Sequence, residues 1–264
     1  MAGCKGLWRI TETYHRNVVR IRVRFAILTN SLKFLKMSVT ILMRHYLSIS
    51  HLSAAALFAR QCHDIESDAI ATPIDSNERR QHNAYAVSSI IVSTAFLEAT
   101  INELFSDCAD AHTTGGIAAL PAKDIMGRLW KIGVPRTASY TILEKYEIAL
   151  ELNNKPVIDK GCNPYQDVKL LVELRNALIH YEPETFVSYN GNESPKLHKF
   201  EKRLTGKFSI NPLTGVGNPF YPDKLLGSGC ALWAVKTAVA FTDEFFKRLD
   251  VPANYDHIRP IFSK

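Results

Sequence analysis

The chain has no Cys-x-x-Cys pair, no two histidines four residues apart, no glycine-rich phosphate loop and no internal repeat. Each absence closes off a chemistry. Without paired cysteines or a histidine pair on one helix face, zinc-ribbon and zinc-protease readings lose their usual ligand spacing. Without a Gly-rich loop there is no backbone cradle for a nucleoside triphosphate or a dinucleotide. The five cysteines, Cys4, Cys62, Cys108, Cys162 and Cys230, are odd in number and widely spaced. That pattern suits reduced, buried thiols in a cytoplasmic protein and not a disulfide frame. No metal and no cofactor are expected.

Acid is nearly missing from one end. Residues 1–47 hold nine Lys/Arg against one Glu, a net of +8, while residues 48–264 hold 23 Lys/Arg against 25 Asp/Glu, a net of −2. The larger part therefore lacks a basic footprint for long nucleic acid, and an RNA site on it must be a local cleft. In the basic segment Arg16, Arg20, Arg22 and Arg24 interleave with Val and Ile. It reads as a mitochondrial-type presequence, as a nucleic-acid arm, or most simply as an upstream extension outside the fold, with Met37 or Met43 as the start. It has no 18-residue charge-free apolar run, so no spanning helix and no membrane partner are expected.

With 46% hydrophobic residues over 264 positions, the chain can bury a substantial core. Helical spacing recurs and no sustained β alternation is evident, so the expected fold class is all-α. Helices are expected over residues 51–67, 76–108, 122–131 and 136–152, then a helix from Pro164 capped by Asn163, and a last one over 230–249. The last helix should turn Leu232, Val235, Val239, Phe246 and Leu249 to the core. Asp75 with Glu78 three residues on suits a capping box. Residues 182–229 are rich in Pro, Gly and Asn and read as a long loop insertion. A short helix should open at Ser194-Pro195, with Phe208, Phe220 and Tyr221 docking the remainder. The plan is thus an extension over 1–47, a helical domain over 48–252 and a tail over 253–264.

The most informative stretch is Glu173-Leu174-Arg175-Asn176-Ala177-Leu178-Ile179-His180-Tyr181-Glu182-Pro183. Pro183 stops a helix. Arg175 offers a fork suited to phosphate, and His180 is the side-chain type that titrates near neutrality. Lys169, Glu173, Asn176 and His180 fall within roughly 60° on the helix wheel, an ordinary polar stripe. Arg175 points into the apolar arc, roughly 140° from His180 on a regular helix. There it needs a partner or a route to water. Glu98, aligned with Ile91, Ala95 and Phe105 on an earlier helix, can reach across to orient it. Its plainer role is a partly buried acid paired with a nearby base. Glu173 and Tyr181 read as solvated or packing residues.

With fifteen Arg and nine His, an Arg-x4-His pair arises by composition about half the time. Requiring Asn, Asp or His after the Arg cuts that to roughly one in fifteen, so the motif exceeds composition. Arg175-Asn176-x-x-x-His180, on a late helix of a helical chain, resembles the signature of the HEPN superfamily (higher eukaryotes and prokaryotes nucleotide-binding). Residues 86–105 resemble the long first helix of such domains. The resemblance covers residues 76–181 and the last helix. It implies a HEPN-like bundle that forms a homodimer, with two motifs at a shared cleft. Many such proteins are metal-independent ribonucleases, often toxins with an antitoxin partner or antiviral effectors. Others only bind nucleotides or RNA. Carried onto this chain, Arg175, Asn176 and His180 are the catalytic candidates and Glu98 a supporting one. The implied products are a 2′,3′-cyclic phosphate and a 5′-hydroxyl. The alternative is a non-catalytic nucleotide- or RNA-binding module, and a third is a purely structural helical dimer.

Overall fold

A computed structural model describes residues 11–14, 17–24, 38–42, 44–111, 113, 115–135, 140–183, 198–215 and 217–262. It divides into two compact units, Met1–Leu47 and Ser48–Lys264. In the first, strands β1 (Thr11–Tyr14), β2 (Asn17–Arg24) and β3 (Ser38–Leu42) form an antiparallel meander. Thr11 pairs with Arg20, and Arg20 with Leu42. These strands depart from the expectation that no β alternation is present. Arg20-Ile21-Arg22-Val23-Arg24 has period two, the strand period, and is rich in β-branched residues.

The second unit is all-α among its described residues. It comprises α1 (Leu47–Asp68), α2 (Ser76–Ala109), α3 (Lys123–Lys131), α4 (Ile142–Leu152), α5 (Tyr165–Ile179), α6 (Lys199–Leu204), α7 (Ser228–Leu249) and α8 (Arg259–Phe262). The spine is α2, 34 residues long, which packs against α3, α4, α5 and α7. It starts at a full capping box: Asp75 accepts from the Asn77 and Glu78 N–H groups, and Glu78 accepts from the Asp75 N–H. Its inner half buries Ile90, Phe96, Leu97, Ile101, Leu104 and Phe105. Small residues let the neighbouring helices close in. Ser89 donates to Ala55 O on α1 at 2.9 Å and lies 3.4 Å from Ala231 O on α7. A Cβ on Gly127 of α3 would stand 2.7 Å from Cys108 O, so that crossing needs glycine. By length and composition α2 is the one helix among the described residues able to cross a membrane, but half of its most apolar window lies inside the bundle.

Several elements differ from the sequence reading. Asn163 does not cap α5; the cap position falls to Pro164, which makes no side-chain cap bond. The helix start is held by the Gln166 side chain on Gly161 O and by Asp167 in its first turn. The helix expected from 136 begins at Ile142, because Thr141 and Glu144 build a second capping box there. Residues 136–139 lie outside the described residues, as do Ser194 and Pro195. The short helix α6 is capped instead by His198. Leu232 is not a core residue. It is 37% exposed and lines a cavity of about 400 Å³ with Ala56, Ala59, Val235, Pro260 and Phe262.

Within the insertion, Phe220 and Tyr221 are buried, and Phe208 packs on Trp233 at 5.6 Å. The stretch read as a tail packs too. Tyr255 is fully buried, meets Phe96 edge-on at 5.3 Å and bonds Thr242 and Asp243, while Arg259 clamps Asp243.

Candidate active site

Helix α5 forms because Val168, Leu170, Leu171 and Leu174 recur at helical spacing and bury against α2 and α7. It ends at Ile179. The His180 N–H still donates to Asn176 O at 2.9 Å, but His180 has φ −103° and ψ 48°. His180 has therefore left the regular helix, so the 140° separation drawn from an ideal wheel no longer constrains it. It is exposed, as are Asn176, Ile179 and Tyr181.

Arg175 is half-buried, its side chain 22% exposed. Its Nη1 donates to the Asn176 side-chain oxygen at 2.9 Å. Its Nη2 stands 4.0 Å from Glu98 Oε2 on α2. The guanidinium thus faces the Glu98 carboxylate, with the neighbouring amide fixing its plane. The contact is long, because Glu98 has a closer cation. Lys145 of α4 donates to Glu98 Oε1 at 2.8 Å and also lies 3.4 Å from Asn102 Oδ1. Lys145 is only 2% exposed and Glu98 40%. A buried ammonium needs such a partner. Lys145 therefore holds Glu98, and Glu98 biases Arg175.

The structure brings Glu98, Arg175 and Asn176 together, and leaves His180 on the adjacent exposed end of the same helix. Glu173 is not simply solvated: it forms an ion pair with Arg203 of α6. Lys207 pairs with Asp167 at 2.7 Å in the same way. The insertion is thus fastened along α5. Tyr221 donates to Ala177 O at 3.2 Å, stacks on His198 at 4.8 Å and 8°, and reaches the Tyr181 ring at 6.3 Å. These contacts place an aromatic group beside the motif.

Lys145 was the residue that sequence reasoning missed. Its signal is a lysine among Leu143, Tyr146, Ala149 and Leu150, all buried. No protein-family profile, no characterised protein and no solved structure matches this chain. The functional reading rests on the chemistry of these residues.

Proposed function

We propose that the protein is a metal-independent endoribonuclease of the HEPN kind. One observation carries the reading: Arg175 is oriented by Asn176 and Glu98 but only loosely paired, at 4.0 Å, because Lys145 takes up the Glu98 charge. An anionic phosphate can therefore displace Glu98 from the guanidinium and meet its fork. His180, exposed one turn on, would take the proton from a ribose 2′-OH or give one to the leaving oxygen. Arg175 would neutralise the charge that builds on the phosphate in the transition state. Asn176 would hold the guanidinium plane. The substrate must carry a 2′-OH, so DNA is spared.

A homodimer belongs to this reading. Ile179 and Tyr181 are exposed apolar groups on either side of His180, and a second chain would cover them while bringing a second motif to the cleft. A cytoplasmic toxin or defence effector, with or without an antitoxin partner, is the setting that the resemblance suggests.

The test is cleavage of a labelled single-stranded RNA pool and its 2′-deoxy counterpart. The wild-type protein should cut RNA alone, with no gain from added magnesium. His180→Ala should lower the rate by about 10²–10⁴-fold, the usual worth of a general acid–base group. It should stay folded, since an exposed side chain makes few core contacts. Arg175→Lys should restore little activity, because it keeps the charge without the fork. Wild-type rates in His180→Ala would reject the mechanism. A second reading, binding without turnover, is favoured by one detail: the bundle orients Arg175, while His180 stands exposed past the end of α5. It predicts no cleavage of any RNA but nucleotide binding that needs Arg175.

A further inference from the structure

Away from α5, three side chains of different chemistry converge where α1 ends, α2 begins and α7 begins. They are Cys62 and Glu66 of α1 and His82 of α2, all buried. Cys62 Sγ, a Glu66 carboxylate oxygen and a His82 ring nitrogen all lie within 4.8 Å of one another. Glu66 Oε1 is 2.8 Å from His82 Nε2 and 3.9 Å from Cys62 Sγ.

We propose that Cys62, Glu66 and His82 form a buried binding site for a divalent zinc-class ion that staples α1 to α2 beside the start of α7. Sulfur, imidazole and carboxylate are the donors such an ion takes. With bonds of about 2.0–2.3 Å, tetrahedral ligands stand roughly 3.3–3.8 Å apart, so the Glu66–His82 spacing must open by only about 0.5 Å. The thiol contacts are otherwise weak. Cys62 Sγ lies 3.9 Å from Glu66 and 3.8 Å from His82 O, long for hydrogen bonds from a buried donor.

The outer groups fit the same purpose. Without an ion the His82 Nε2–H donates to Glu66 Oε1 at 2.8 Å; binding an ion would move that proton to Nδ1, which faces Asn83 Oδ1 at 3.4 Å. The Ser228 N–H and hydroxyl donate to Glu66 at 2.7 and 2.5 Å and fix the carboxylate. One thiolate, one carboxylate and a neutral imidazole balance the charge of a divalent ion.

This site is independent of the RNA reading, because α5 supplies none of its ligands. The test uses the full chain, purified and loaded with cobalt(II), then freed of unbound metal by gel filtration. The expected result is about one equivalent per chain with a thiolate-to-cobalt charge-transfer band. That band should vanish in Cys62→Ser and His82→Gln, and persist in Cys108→Ser and Cys162→Ser. Zinc should displace it and raise the melting midpoint of the wild-type protein. Should Cys62→Ser fail to fold, the wild-type spectrum still decides. Absence of the band in the wild type overturns the proposal, as does its survival in a folded Cys62→Ser protein or its loss in Cys162→Ser.

Discussion

Lys145 shows what a single residue does across the bundle. Its ammonium is buried and meets Glu98, 47 positions earlier, so the pair is invisible to local pattern. Lys145→Met keeps much of the volume and removes the charge, leaving Glu98 without its nearer partner. Glu98 is partly exposed, which lets water take up some of the loss. The expected cost is about 1–3 kcal/mol, read from the shift of the urea midpoint. In the same variant Glu98 is free to close on Arg175, so RNA cleavage should fall more than stability does. An unchanged midpoint with unchanged cleavage would show that the Lys145–Glu98 pair does not govern Arg175. The motif itself was legible because Arg175, Asn176 and His180 are close in sequence on one helix. The Arg175–Glu98 contact was suggested by the apolar arc into which Arg175 points. What sequence did not show is which cation Glu98 serves first, since that depends on how α4 packs on α2.

At the scale of elements, the helix starts rest on reciprocal caps. Asp75→Ala should cost about 1 kcal/mol in the denaturant midpoint, since it orphans the Asn77 and Glu78 N–H groups. The Asp75–Glu78 box was readable from its three-residue spacing. The Thr141–Glu144 box was overlooked because apolar spacing alone placed the helix start too early. That second box carries a pH dependence. The Thr141 backbone N–H, and then its hydroxyl, hold the Glu144 carboxyl below its usual range. A carboxyl depressed in the folded state adds stability above its unfolded value, and the gain is lost as pH falls through its folded value. Glu144→Gln keeps an acceptor without the charge. The melting midpoints of wild type and Glu144→Gln should differ at neutral pH and converge in acid below the carboxylate range. A difference that grew on acidification would contradict the cap. The missed Asn163 cap has a plain cause: Pro164 takes the cap position itself, so the Asn163 side chain stands one residue too early.

For the whole molecule, the two ends behave oppositely. The first unit ends at Leu47, and a chain beginning at Met43 should keep the helical circular-dichroism signal and the melting midpoint of the full protein. Loss of helix in that shortened chain would make the two units one folding body. The other end is part of the core: Tyr255→Ala removes a fully buried ring against Phe96 and should cost about 3–5 kcal/mol in urea unfolding. The helical class was legible because amphipathic periodicity is local. The packing of residues 253–262 was not, because Tyr255 and Phe262 are isolated aromatics whose burial depends on distant helices. If the cleft is shared, light scattering at micromolar concentration should report a dimer. The central claim is tested most directly by the ends that the protein leaves on cut RNA. The account predicts 2′,3′-cyclic phosphate and 5′-hydroxyl ends from the wild type and none above background from His180→Ala. Ends bearing a 3′-hydroxyl and a 5′-phosphate, or the same cyclic phosphate from His180→Ala, would contradict it.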